Sequence, residues 1–129
     1  AYSIDTVSRR LYTIRIKNLE TEEVLSESSY NSSGNFSWAN DNKTLFYTKR
    51  DIKTLRNDKI YKHTLGENSN KDKLVFHEKD NTFYTSVSKS KSNKYIIISS
   101  YSTLTSEFQF LDADNPKENF KLFSKRKRV

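Results

Sequence analysis

The chain has no cysteine and no methionine, and only one proline and two glycines among its 129 residues. Without cysteine there is no disulfide framework, no thiolate nucleophile and no Cys-based zinc site. Both cytoplasm and periplasm suit such a composition, and it chooses neither. The two glycines, Gly34 and Gly66, are far apart. No Gly-x-Ser-x-Gly elbow can therefore exist, although the strained turn that exposes a hydrolase serine needs glycine on both sides. Long apolar runs are also missing. The longest, Tyr95-Ile96-Ile97-Ile98, falls well short of the roughly 18 residues of a helical membrane span, so no membrane partner is expected. The first residues, Ala1-Tyr2-Ser3-Ile4-Asp5, carry neither an initiator Met nor the charged and apolar regions of a signal peptide. They read as an alternating strand, which suggests a segment excised from a longer protein.

Bulk and charge are what the chain does have. Leu, Ile, Val and Phe make up about a quarter of it, above the roughly 20% below which a highly charged chain stays disordered. Eight Tyr, eight Phe and one Trp supply large side chains, and 23 Lys plus Arg against 16 Asp plus Glu give a net charge of +7. The apolar residues recur at period two, which on a pleated backbone places them on one face. Tyr12, Ile14 and Ile16 alternate with polar residues; Phe36 and Trp38 bracket Ser37; Leu74 and Phe76 bracket Val75; Phe108 and Phe110 bracket Gln109. Leu45-Phe46-Tyr47 and Tyr95 to Ile98 are apolar on both faces and predict strands buried from both sides. Turns are expected at 31–35, 40–43, 67–72 and 112–116, where Asn, Asp and Ser bend the chain through local hydrogen bonds. The one helix candidate, Asp51 to Asn57, is short and has no extended apolar stripe. The fold class is all-β.

A repeat turns these strands into an architecture. Phe36-Ser37-Trp38, a polar turn and Asn42-Lys43-Thr44-Leu45-Phe46-Tyr47 are echoed by Thr85-Ser86-Val87, a longer polar turn and Asn93-Lys94-Tyr95-Ile96-Ile97-Ile98, at an offset of about 50 residues. An outer strand follows in each unit, Ile60 to Leu65 or Glu107 to Asp112, and then a short closing strand, Lys73 to Phe76 or Asn119 to Phe123. Four strands per roughly 45 to 50 residues is the period of a β-propeller blade. The expected division is the end of one blade at 1–33, a second blade at 34–81 and a third at 82–129. Rings need about four to eight blades, so these two to three four-stranded antiparallel blades form an open arc. Alone, the arc should be marginal or pack on copies of itself.

The strings themselves are also familiar. Ala1 to Arg10, Tyr12-Thr13-Ile14-Arg15 with Asn18-Leu19-Glu20-Thr21, Trp38 to Tyr47, Thr54-Leu55-Arg56, Ile60 to Gly66, Ser86 to Ser100, Ser102 to Glu107 and Leu111 to Pro116 closely resemble the oligopeptidase B branch of the prolyl oligopeptidase family of serine peptidases. This resemblance implies a seven-bladed propeller capping an α/β-hydrolase domain with a Ser, Asp and His triad. All the matching strings belong to the propeller. The implied partners are the remaining blades, the hydrolase domain and short peptides cut after Lys or Arg, with the propeller restricting access. Two departures stand out: Glu22, where the family commonly has Gly, and the basic tail Lys125-Arg126-Lys127-Arg128.

Read for chemistry, the chain yields no catalytic, cofactor-binding or metal-binding residue. Its many serines read as turn and strand-edge residues. His63 lies in an alternating strand beside Tyr61 and Leu65, and His77 at a strand end near Glu78. Neither shows the orienting partner and nucleophile of a general base, nor the close spacing of a zinc motif. The alternative to a peptidase segment is a stand-alone basic module binding single-stranded nucleic acid, through Lys49, Arg50, Lys53, Arg56, Lys59, Lys62 and the basic tail. Acidic residues interrupt that stretch, and no RNP or glycine-loop signature accompanies it. Trp38, Phe46, Phe83, Phe108 and Phe110 are expected to fill the spaces between stacked blades, Trp38 at a blade–blade contact.

Overall fold

The computed structural model describes residues 2–4, 12–17, 21, 24–51, 56–67, 71–80, 82–102 and 105–124. These contain ten strands and no α-helix: β1 (Tyr2–Ile4), β2 (Tyr12–Lys17), β3 (Val24–Trp38), β4 (Thr44–Arg50), β5 (Asn57–Thr64), β6 (Lys73–His77), β7 (Tyr84–Lys89), β8 (Tyr95–Tyr101), β9 (Ser106–Asp112) and β10 (Lys121–Ser124). Each strand pairs antiparallel with its neighbours in sequence, giving one sheet ordered β1 to β6 and a second ordered β7 to β10. Among the described residues neither sheet closes on itself. The helix candidate near Asp51 has residues 52–55 outside those described; Asp51 N–H donates to the Arg56 carbonyl and Asn57 opens β5.

The larger sheet is two sheets joined end to end. β3 runs for 15 residues. Its first part, to Ser32, pairs with β2, and its last part, from Ser32, pairs with β4, with a register break between Ser32 and Phe36. Ile14 of β2 packs with Leu45 and Tyr47 of β4, although β3 separates these strands in the sheet. The sheet must fold over at β3 for that contact to form. Three layers result: β1, β2 and the start of β3; the end of β3 with β4, β5 and β6; and β7 to β10. The turn expected at 31–35 is not a turn. Ser32 registers with both Tyr12 and Lys49, and this two-sided pairing of the backbone outweighs the local preference of Asn, Ser and Gly.

The middle and last layers share the backbone hydrogen bonds of their first turns. Ala39 N–H donates to the Thr44 carbonyl at 2.9 Å, and Ser90 N–H to that of Tyr95 at 2.9 Å. Asn42 N–H donates to Ala39 and Asn93 N–H to Ser90, and the two asparagines adopt φ of 57° and 59°. Asparagine tolerates this left-handed conformation better than most residues, which explains its place at both turns. The two turns have the same length. The longer turn expected after Val87 does not occur, because β7 continues to Lys89.

The layers are held by two apolar cores. Phe46 and Ile60 of the middle layer meet Val87, Ile96, Ile98 and Leu111 of the last layer, all at most 2% exposed. Each such side chain contributes about 1.5 to 3 kcal/mol on leaving water. The Phe46 and Phe120 rings meet edge to face at 5.5 Å. On the opposite face of β4, Leu45 and Tyr47 pack with Ile14, and half-buried Phe36, Trp38 and Tyr61 close over them. β4 is thus buried from both sides, as its apolar run predicts. β8 is not: Ile96 and Ile98 are buried, but Ile97 is half-buried and Tyr95 is exposed, because that face has no layer packed on it among the described residues.

Candidate functional site

Polar groups join the layers as well as the apolar cores. Asn35 Oδ1 accepts from Thr48 Oγ1 at 2.7 Å and from Val87 N–H at 2.8 Å, linking β3 and β4 to β7. Asn40 Nδ2 donates to the Asn93 carbonyl at 2.7 Å and to Asp114 Oδ1 at 2.8 Å. Arg56 Nη2 donates to the Asp80 and Phe83 carbonyls, both at 2.8 Å, and so ties the start of β5 to the approach to β7. Asp41 organises the turn before β4: its carboxylate accepts from the Lys43 and Thr44 N–H groups and from Thr44 Oγ1. Burial pushes the Asp41 carboxyl upward, but these hydrogen bonds and the Lys43 charge outweigh it and leave the group below the usual carboxylate range.

His63 has an orienting partner that the sequence does not reveal. Its Nδ1 lies 2.6 Å from Asp72 Oδ1, with both side chains nearly fully buried, and Asp72 Oδ2 accepts from Tyr47 Oη at 2.6 Å. Tyr47 stacks on Tyr61 at 5.8 Å, and Lys49 Nζ lies 4.9 Å from the Tyr61 ring centre. Asp72 lies in the polar stretch expected to be a turn, and it is the pairing of Leu45 with His63 across β4 and β5 that brings Tyr47 near His63. A histidine, a carboxylate and a hydroxyl are the parts of a proton relay, but the order is wrong for nucleophilic catalysis. The hydroxyl is a phenol held by the carboxylate, and the buried group offers a substrate no approach. It clamps β4, β5 and the start of β6 together. His77 is a surface residue, with Nε2 3.7 Å from Asp58 Oδ2.

Several of the described serines have partners within the fold. Ser32 donates to the Thr48 carbonyl at 2.8 Å, Ser90 and Ser92 bond to each other, and buried Ser100 faces Thr85 across the β7–β8 ladder. No group of three or more His, Asp or Glu residues positioned for a metal ion occurs among the described residues.

Most of the basic stretch is engaged within the fold. Arg50 Nε donates to Asn57 Oδ1, Lys59 pairs with Asp58 at 3.2 Å, Lys62 Nζ reaches the Pro116 carbonyl at 3.4 Å, and Arg56 and Lys49 have the partners given above. Lys53, Glu22 and Lys125 to Arg128 lie outside the described residues. A phosphate backbone would have to compete with these contacts, which weakens the nucleic-acid reading.

The expected interface aromatics divide into two groups. Trp38 sits on the core shared by β2 and β4, Phe46 and Phe83 are buried, and Phe108 and Phe110 face outward. With Tyr95, Ile97 and Gln109 they line an apolar depression of about 490 Å³ on the last layer.

Known proteins match this arrangement. Residues 1–129 match the family described as prolyl oligopeptidase, N-terminal beta-propeller domain. The chain is 41% identical over 116 residues to a dipeptidyl aminopeptidase BI of Pseudoxanthomonas mexicana, a match covering 90% of this chain and 16% of that protein. It is 38% identical over 118 residues to a protease 2 of Moraxella lacunata, covering 90% of this chain and 17% of that protein. Its fold superimposes on oligopeptidase B from Leishmania major with a TM-score of 0.88 at 25% identity, over 98% of this chain and 18% of that one. The chain therefore spans about one-sixth of the length of the curated relatives it matches.

Proposed function

Because the chain belongs to the N-terminal β-propeller family of the prolyl oligopeptidases, we propose that it is a non-catalytic propeller segment of a serine-type oligopeptidase. In this reading the whole protein cuts short peptides after Lys or Arg. The propeller forms a wall around the active site and excludes folded proteins by size. The blades run 1–33, 34–81 and 82–129, and the partners are further blades and an α/β-hydrolase domain. Hydrolysis proceeds there through an acyl-enzyme intermediate on a serine outside this chain.

The observation that carries the proposal is the repeated layer. The turns at Asn42 and Asn93 have the same backbone hydrogen bonds, one layer packs on the next through a continuous apolar core, and the last layer ends in a face of Tyr95, Ile97, Phe108 and Phe110 that is uncovered among the described residues. Such a stack is built to continue. Selection by size needs only rigid packing and no reactive group. The preference for Lys or Arg rests on the resemblance to oligopeptidase B.

The test offers the full-length protein a peptide with an internal Lys or Arg, both free and displayed on a loop of a folded protein. The free peptide should be cut after the basic residue and the displayed one left intact. Equal cleavage of both would overturn the restricting role. Release of dipeptides from the amino end without regard to basic residues would overturn the specificity, as would cleavage elsewhere in the peptide.

A further inference from the structure

Lys62 and Lys73 face each other directly across β5 and β6. Like charges in that position destabilise a sheet, and opposite charges are the usual choice. Lys117, in the turn after β9, lines the same cleft between the middle and last layers, whose volume is about 480 Å³. Phe46, Phe120 and Val75 form its apolar walls, and Glu118 is its one carboxylate. Lys62 is half-buried, with Nζ reaching the Pro116 carbonyl at only 3.4 Å, a long contact that an anion can displace, and Lys73 is exposed; none of the three lysines makes an ion pair among the described residues. Burial, followed by the charge of Lys73, holds the Lys62 ammonium below the usual lysine range.

From this juxtaposition we infer that the cleft between β5, β6 and the β9–β10 turn is a binding site for a phosphate-type oxyanion. The charge count favours this class. Three ammonium groups against one carboxylate leave an excess of two positive charges, which matches a dianion such as hydrogen phosphate and over-compensates a single carboxylate. The three lysines that line the cleft come from two strands and from the neighbouring layer, so a bound anion would bridge the two layers at their outer strands. It would also remove the repulsion between Lys62 and Lys73. Ammonium groups, acting as point charges, suit a small anion and do not require the planar bidentate recognition that arginine provides. The inference is independent of the peptidase reading, because it rests only on groups within this chain.

The test is equilibrium dialysis of radiolabelled inorganic phosphate against the full-length protein, alongside the double variant Lys62→Gln, Lys73→Gln and the control Lys91→Gln, an exposed lysine outside the cleft. Saturable binding should weaken at least tenfold in the double variant and stay unchanged in the control. Thermal melting supplies a second readout. Phosphate should raise the melting temperature of the native protein, as a ligand of the folded state must, and acetate at equal ionic strength should not. Without phosphate, the double variant should melt no lower than the native protein, because the like-charge repulsion is gone. Equal phosphate binding by the double variant, no saturable binding at all, or an equal response to acetate would overturn the assignment. A lower melting point of the unliganded double variant would also contradict it.

Discussion

Replacing Asn35 with alanine should loosen the middle layer from the last one out of proportion to the atoms removed. Asn35 Oδ1 is the acceptor for two donors, the Thr48 hydroxyl and the Val87 N–H. Thr48 is fully buried and Val87 is 1% exposed, so neither donor gains water easily when the acceptor is lost. Two neutral hydrogen bonds are worth about 1 kcal/mol each, and a stranded buried donor costs about 1 to 3 kcal/mol. The Thr48 hydroxyl can rotate towards another acceptor, whereas the Val87 N–H is fixed by β7, so the total should be about 2 to 4 kcal/mol. Urea unfolding of the full-length protein measures the loss. Hydrogen exchange of the segment Tyr84 to Lys89 localises it, where the lower figure corresponds to roughly 30-fold faster opening at Val87. Asn35→Asp is the control, since it keeps an oxygen in place for both donors and should lose less than half as much. A change below about 0.5 kcal/mol, with Val87 protection intact, would refute the claim that Asn35 joins the layers.

Trp38→Ala should cost about 2 to 4 kcal/mol in the same unfolding assay, towards the low side for a large aromatic because Trp38 is half-buried against Ile14, Leu45 and Tyr47; normal stability with selectively lost peptide binding would contradict its place as a layer contact. Asp41→Ala should destabilise at neutral pH. The folded Asp41 carboxyl lies below its ordinary value, so its contribution is complete above the unfolded pKa of about 4 and is lost as pH falls through the lower folded value. The stability gap between native and variant chains should therefore narrow in acid, and a gap that widens below pH 4 would refute the reading.

How much of this was legible in the sequence depended on whether a feature was periodic or paired. The alternation of Ile14 and Ile16, and the recurrence of Asn42-Lys43 and Asn93-Lys94, show the strands and the repeat, because period-two patterning and left-handed turns are local properties. The run of β3 through 31–35 was not legible. Its Asn, Ser and Gly favour a turn locally, and only the partners on either side reveal that the strand continues. Asp72 and Asn35 were hidden for a similar reason. Each looks like an ordinary loop polar residue until the fold brings His63 and Tyr47 to the one and Thr48 and Val87 to the other. Ile97, Phe108 and Phe110 were read as interior from their bulk, and they are apolar as expected, but periodicity does not show which face a following layer covers. The basic stretch is the opposite case. Its charge is visible in the sequence, whereas the contacts that engage Arg50, Arg56 and Lys59 belong to the fold.

The central claim is that the chain shapes access to a serine active site located elsewhere in the protein. The most direct test is labelling of the full-length protein with a fluorophosphonate, followed by peptide mapping. The account predicts that peptide hydrolysis is abolished, with the label on a serine outside residues 1–129. Stoichiometric label on any serine within this chain would contradict it.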